Sequence, residues 1–204
     1  MQGAYPPPHY NEPNLEAQLQ LIRKQPLATF IIADGNTPLA TPLPLVLAKA
    51  DILPDGKLWT GSAGSSPTEN QQLLGHLDAN NPAADLIQNG REALAIFHGP
   101  NTYISPTDYT TKQLPTYNYQ QVFVQGTLIR HTNHADVQAD IHALVHAMEP
   151  EGNWDLSPDD PRIAALIGQV VGFRLVISSI TGRFKLSQDK KAADQAAVLR
   201  KMGK

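Results

Sequence analysis

The 204-residue chain is 41% hydrophobic, enough to bury one core, and sets 16 Lys and Arg against 19 Asp and Glu for a net charge of -3. That balance excludes general coating of nucleic acid, and the lack of cysteine excludes disulfides, thiolate catalysis and every Cys-ligated metal or iron–sulfur centre. No apolar run approaches membrane-spanning length and residues 1–14 lack a basic-then-apolar signal pattern, so a cytoplasmic protein without membrane attachment is expected.

Leu15, Leu19 and Ile22 recur at helical spacing between the Asn and Pro residues of 11–14 and Pro26, which predicts a short amphipathic helix. Segment 27–34 reads as a buried strand, Asp34-Gly35-Asn36 as a turn, and 39–48 as the second strand of a hairpin. Pro42 and Pro44 cannot donate ladder bonds and place that strand at an edge or bulge. A third strand is expected at 55–62, then a polar insertion over 63–72. Segment 80–90 has an Asn cap, a Pro at the first helical position and a closing Gly, predicting a helix of two to three turns.

Strands are expected at 92–99 and 119–131, with loops around them. Val137, Ile141, Leu144, Val145 and Met148 share one face of a helix over 135–148. A short helix or turn at 161–172 leads into a final strand at 173–182, and a helical tail occupies about 188–204. Strands joined by tight turns, with helices at the ends rather than alternating, predict an α+β, mostly β fold: an antiparallel barrel with peripheral helices, in one domain spanning 1–204. From Arg183 onward seven basic residues face two acids, a local +5 against -8 elsewhere. A solvated helix face explains this run, and weak polyanion contact is the competing reading.

Gly-rich phosphate loops, nucleophile elbows and zinc-protease helices have no match in the sequence. His142 and His146 stand four apart with Glu149 beyond them, but they flank an apolar stripe, which favours a structural role over a metal centre. At 75–82 a polar run enters the predicted helix, where His76 and Asn80 could assist anion binding; an ordinary cap is the stronger reading from spacing. Segment 184–188 ends a strand with an ammonium, a hydroxyl and an amide. The stretch 98–122 gathers four tyrosines and three prolines with almost no charge, and Ser105, Thr116 and Asn118 add uncharged donors and acceptors. Rings with hydroxyl tips suit a flat heterocycle with polar edges, and equally a tyrosine-rich interface.

Three segments in order, GHLDANNP at 75–82, GPNTYISPTDY with PTYNYQQVFVQGTL across 99–128, and VGFRLVISSITGRFKLSQDK at 171–190, resemble the PaiB-like FMN-binding negative transcriptional regulators. Residues 5–32 and 39–47 agree in kind and order, so the resemblance spans nearly the whole chain. It implies a homodimer of six-stranded FMN-binding split β-barrels with FMN in a groove at the subunit interface. By motif, His76 and Asn81 belong to the family's Gly-His…Asn-Pro pattern, and Lys185, Leu186, Ser187 and Gln188 to its Lys-Leu-Ser-Gln pattern. The cofactor-binding set this implies is His76, Asn81, Tyr103, Ser105, Thr116, Tyr117, Asn118, Tyr119, Lys185, Ser187 and Gln188, with no catalytic residue and no metal ligand among them.

The sequence departs from the family pattern at Asp108 and Tyr117, where Trp is usual, at Pro42, where a His is frequent, and at Ala79, where a basic residue is common. A carboxylate at 108 repels a phosphate and Ala79 offers it no cation. The implied function is a negative transcriptional regulator that senses flavin or redox state. DNA is a weakly supported partner, since there is no helix-turn-helix pattern and the body of the chain is acidic. The rival readings are a flavin-dependent oxidoreductase of the flavin reductase kind, and a degenerate split-barrel dimer without cofactor.

Overall fold

A computed structural model describes residues 6–48, 71–149, 151–152, 154, 156–157 and 160–203. The strand expected at 55–62 and most of the insertion expected at 63–72 lie outside the described residues. Helix α1 (Leu15–Lys24) starts where the Asn14 side chain accepts the Ala17 N–H, and its first-turn Glu16 and last-turn Arg23 and Lys24 complement the helix dipole. Its Leu19, Leu21 and Ile22 turn inward.

Strands β1 (Asn11–Glu12), β2 (Leu27–Asp34), β3 (Thr37–Pro44), β4 (Val46–Leu47), β5 (Gln72–Asp78), β6 (Glu92–Ile104), β7 (Thr116–Arg130) and β8 (Val170–Lys185) form one antiparallel sheet. The order is β3-β2-β6-β7-β8-β5-β4, with β1 also pairing to β8. The β2–β3 hairpin turns on Gly35, whose φ of +58° suits a residue without a Cβ. Pro42 and Pro44 sit on β3 at the end of the strand order, the edge placement their missing N–H groups require.

The two ends of that order, β3 and β4, are consecutive segments separated only by Leu45, which is fully buried and donates its N–H to Pro26 O at 2.9 Å. One stretch of chain therefore leaves β2 and joins β5, so the six longer strands curl into a split barrel whose ladder stays open between β3 and β4. Alternation fills the interior with Phe30, Ile32, Phe97, Val122, Val124, Phe173 and Leu175, and Phe30 packs on Phe173 with ring centroids 5.3 Å apart. Each such side chain adds roughly 1.5–3 kcal/mol of burial.

Helices α2 (His134–Met148) and α3 (Pro161–Ile167) share a second, smaller core of Val137, Ile141, Ile163 and Ile167. Helix α4 (Ala192–Lys201) contributes Val198 to a third with Ile104 and Tyr109. On α2 the expected stripe is only partly inward: Val137 and Ile141 are buried while Met148 is exposed.

Two expectations are corrected. Segment 80–90 holds a single turn of 3-10 helix, Ala84–Leu86, instead of two to three helical turns. Side chains take the backbone groups that a longer helix would have paired: Asn81 Oδ1 accepts Ala83 N–H at 2.9 Å, Asp78 Oδ1 accepts Asn80 N–H at 2.7 Å, and Arg130 donates to the Ala84 and Ile87 carbonyls. The anion site at a helix N-terminus, the weaker of the two readings there, loses the helix it would need. The stretch 98–122 is mostly strand rather than loop, because β6 runs on to Ile104 and β7 begins at Thr116.

Candidate functional site

Strand extension brings the tyrosine-rich segment and the end of β8 together. Register pairs Tyr103 with Tyr117, Thr102 with Asn118 and Ile104 with Thr116 across β6 and β7, and Tyr119 with Lys185 across β7 and β8. Between β6 and β7 the chain folds on a capping box: Ser105 N–H donates to Asp108 Oδ2 at 2.7 Å and Thr107 N–H to Ser105 Oγ at 3.3 Å. Ser105 thus spends its side chain on the loop.

Past Lys185 the chain turns sharply at Ser187, the one described non-glycine residue with a positive φ, +64°. Ser187 and Asn118 are buried together and linked hydroxyl to amide at 3.0 and 3.2 Å, and Asn118 also donates to Met202 Sδ at 3.7 Å. Gln188 closes the turn, accepting Leu186 N–H at 2.6 Å and donating to the Phe184 carbonyl. Lys185 Nζ donates to Thr116 Oγ1.

These residues border a cleft of about 300 Å³ lined by Tyr10, Gln113, Leu114, Pro115, Thr116, Lys185, Ser187, Asp189 and Lys190. Burial pushes the Lys185 ammonium below the usual lysine value, and among the described residues its hydrogen-bond partner is a hydroxyl rather than a carboxylate. Lys190 is raised, chiefly by its 2.7 Å bond to Asp189. The Tyr10 phenol is raised by burial and then by the Asp189 charge, so it stays protonated, and its ring lies 5.9 Å from Lys185 Nζ. Tyr109 Oη is buried without a hydrogen-bond partner among the described residues, and the residue interacts electrostatically with Lys190.

A partly desolvated ammonium beside hydroxyls can donate to a phosphomonoester, with the Asp189 carboxylate on the same lining paired to Lys190. The volume sits at the low end for small-molecule sites, so the cleft fits a phosphate and its carbon chain rather than a whole flavin.

The structure does not bring every expected residue to this place. Thr116, Lys185 and Ser187 line the cleft, Asn118 and Gln188 support it from behind, and Tyr119 is half-buried beside Lys185. Tyr103 and Tyr117 are 48% and 57% exposed in the single chain, and their rings meet edge-on at 5.6 Å. His76 and Asn81 stand at the other end of β8. His76 pairs with Gly172, thirteen positions before Lys185, and burial lowers its pKa. Gly172 leaves room there: a Cβ would lie 2.9 Å from His131 Cδ2. Asn81 donates to Thr41 Oγ1 at 3.3 Å.

The sequence reading missed Tyr10, Gln113 and Lys190 in the cleft, and Asp194 and Met202 behind it. Lys190 closes the third quoted motif, and Asp194 is one of two acids in a basic tail; Tyr10 carried no signal of its own.

The family described as "Putative FMN-binding domain" matches residues 4–179. The chain is 24% identical over 203 residues to the protease synthase and sporulation protein PAI 2 of Bacillus subtilis, covering 97% of this chain and 88% of that one. Among solved structures it resembles the FAD and heme binding protein of Mycobacterium smegmatis, with a TM-score of 0.61, 13% identity, and 92% and 79% of the two chains covered. It also resembles the flavocytochrome Anf3 of Azotobacter vinelandii, with a TM-score of 0.60, 11% identity, and 93% and 75% covered. At those identities the structural likeness establishes the fold, a split β-barrel.

Proposed function

The chain belongs to the FMN-binding domain family, FMN is its cofactor, and from that premise we propose a PaiB-like, flavin-sensing negative regulator that holds the phosphate end of FMN in the Lys185 cleft. The observation that carries the placement is Lys185 itself, partly desolvated in the cleft and hydrogen-bonded to a neutral hydroxyl, with the Asp189 charge, shared with Lys190, only partly offsetting its burial, so that a phosphate would add counter-charge where the ammonium points. Thr116 adds a hydroxyl, while Ser187 spends its hydroxyl on Asn118, and Lys190 and the Tyr10 phenol face Asp189 on the same rim. The flavin ring supplies the electron chemistry when bound; the protein residues named here bind and orient it.

A homodimer would complete the rest of the site. The outer face of β2, β6 and β7 sets Ile31 beside Leu94 and Ile96 beside Phe123, all half-buried in a single chain. A second copy laid on this face would cover them and the Tyr103 and Tyr117 rings. It would also give His76 and Asn81, which sit far along β8 from the cleft, a route to a flavin held by the partner.

A regulatory rather than metabolic role is supported by the PAI 2 relative, whose name refers to protease synthesis and sporulation rather than to a reaction. Direct DNA reading is less well supported, because Lys190 and Lys201 of the basic tail are engaged by Asp189 and Asp108. No described helix is long and apolar enough to cross a membrane.

The test is a pair of titrations with FMN and riboflavin, which lacks the phosphate, followed by flavin fluorescence. Lys185→Met should weaken FMN about 10- to 100-fold, the loss of one charge-assisted hydrogen bond, and leave riboflavin nearly unchanged. Equal affinity of the wild-type chain for the two flavins removes the phosphate from this cleft. Steady anaerobic reduction of bound flavin by a reduced nicotinamide would replace the sensor with a flavin-dependent oxidoreductase.

A further inference from the structure

Among the described residues, one carboxylate behind the cleft gathers more donors than any group within it. Asp194, on α4 and fully buried, accepts Thr110 N–H at 2.6 Å, Thr110 Oγ1 at 2.7 Å, Thr111 N–H at 3.0 Å, Thr111 Oγ1 at 2.5 Å and Gln113 Nε2 at 3.3 Å. These donors are neutral, and they hold the carboxyl well below the usual aspartate range, the Thr111 hydroxyl contributing most and the Thr110 hydroxyl next. A carboxylate with this many charge-assisted bonds has a fixed position, and so has whatever it binds.

What it binds is the wall of the cleft. Gln113 lines it, and Leu114, Pro115 and Thr116 follow directly in the chain. The same helix reaches the opposite wall from behind, through Met202 just past its end, whose sulfur meets the Asn118 amide that holds Ser187. Val198 packs under Ile104 and Tyr109 between the two contacts. Helix α4 therefore spans both walls, and it lies beyond residue 179, where the family match stops.

We infer that Asp194 is a positioning residue of the cofactor cleft, and that through it the C-terminal helix of this chain sets the separation between the Gln113–Thr116 wall and the Lys185–Ser187 wall. This rests on the reading that the phosphate end of FMN occupies the cleft. A wall that shifts changes the hydrogen-bonding distance from Thr116 and Lys185 to the phosphate, while contacts to the ring, which the small cleft does not enclose, stay as they were. The signature is selective: FMN affinity responds, riboflavin affinity does not.

The experiment titrates FMN and riboflavin into the full chain carrying Asp194→Asn, with Thr110→Val/Thr111→Val as a second variant that removes two donors and keeps the carboxylate. Asp194→Asn is expected to lower FMN affinity about tenfold with riboflavin within about twofold, and the double variant to fall between it and wild type. Unchanged FMN affinity, or equal losses for both flavins in step with a lower melting temperature, overturns the inference and leaves Asp194 a merely structural carboxylate. Should Asp194→Asn fail to fold, the double variant decides by the same comparison. Lys185→Met run in parallel separates the two claims. If it spares FMN, the phosphate reading itself is wrong; if it costs FMN affinity while both Asp194-site variants do not, only the role of Asp194 falls.

Discussion

The two ends of β8 are built alike and behave oppositely. At the Gly172 end, α2 lowers Asp140 onto the sheet; at the Lys185 end, α4 lowers Asp194 onto the loop before β7. Asp140 meets a cation: Arg174 binds it through both carboxylate oxygens at 2.9 and 3.2 Å, and the His131 imidazole Nε2 also lies 2.6 Å away. Asp194 meets only hydroxyls, amide N–H groups and the Gln113 side chain. The first arrangement consumes its positive charge within the protein. The second satisfies its carboxylate with neutral donors and leaves Lys185 hydrogen-bonded to a hydroxyl, with the Asp189 charge offsetting its burial only in part. A cation bonded directly to a buried carboxylate marks a structural joint, and one bonded to a hydroxyl beside a cleft can still take an anion.

The largest effect should come from breaking the spent pair. Asp140 is 6% exposed, and removing its charge leaves the Arg174 guanidinium without its carboxylate. Asp140→Asn is expected to cost about 3 kcal/mol, the lower range for a broken buried pair because Arg174 can still reach water. Urea unfolding reads this loss. FMN affinity of the folded fraction should not change, and a parallel fall in FMN affinity would erase the distinction between the two ends.

A smaller effect separates strain from bonding at the cleft end. Ser187 holds a left-handed φ of +64° and a buried bond to Asn118. Ser187→Ala loses the bond, leaves the amide short of a partner and keeps the strain, for about 2 kcal/mol. Ser187→Gly loses the same bond but relieves the backbone, so it should be about 1 kcal/mol more stable than the alanine variant. Equal stabilities would mean that the turn is not strained.

Smaller again is a pH effect on binding. Burial sets Lys185 below the ordinary lysine value of 10.5 in the folded chain, so the unfolded chain holds that proton more tightly. Its contribution to stability therefore rises as pH climbs from the lowered value toward 10.5. A bound phosphate works the other way, favouring the ammonium, so FMN binding takes up a proton. FMN affinity should fall as pH rises through the lowered Lys185 value, riboflavin affinity should stay flat, and Lys185→Met should abolish the slope.

Much of this was legible in the sequence because it is local. Alternation disclosed the strands, the prolines of β3 disclosed an edge, and the Asn14 cap disclosed α1. The ordered motifs led to Thr116, Asn118, Lys185, Ser187 and Gln188, which do converge. What escaped was decided by contacts across long stretches of chain. Arg130 reaches back to Ala84 and Ile87 and shortens a helix whose punctuation reads correctly. Asp194 lies 84 positions from Thr110, a separation no motif window spans. His76 and Lys185 read as parts of one site because motifs carry no geometry, yet β8 holds them at opposite ends.

The smallest predicted effect concerns Asp108, which stands where the resembling family usually has Trp. In the structure its carboxylate accepts Ser105 N–H and pairs with Lys201 of α4, and the Lys201 bond is the main reason its pKa is lowered. The acid that would repel a phosphate thus arrives with its own cation, supplied by the same helix that carries Asp194. Lys201 is exposed enough for water and salt to screen the pair, so Lys201→Ala should barely move the melting temperature. It does uncover one negative charge near the cleft loop, and FMN affinity should drop about twofold at low ionic strength, with the difference vanishing at high salt. A loss that persisted in high salt would mean that Lys201 acts through the position of α4 rather than through charge, which would make the C-terminal helix more sensitive to its outer contacts than the buried Asp194 anchor implies.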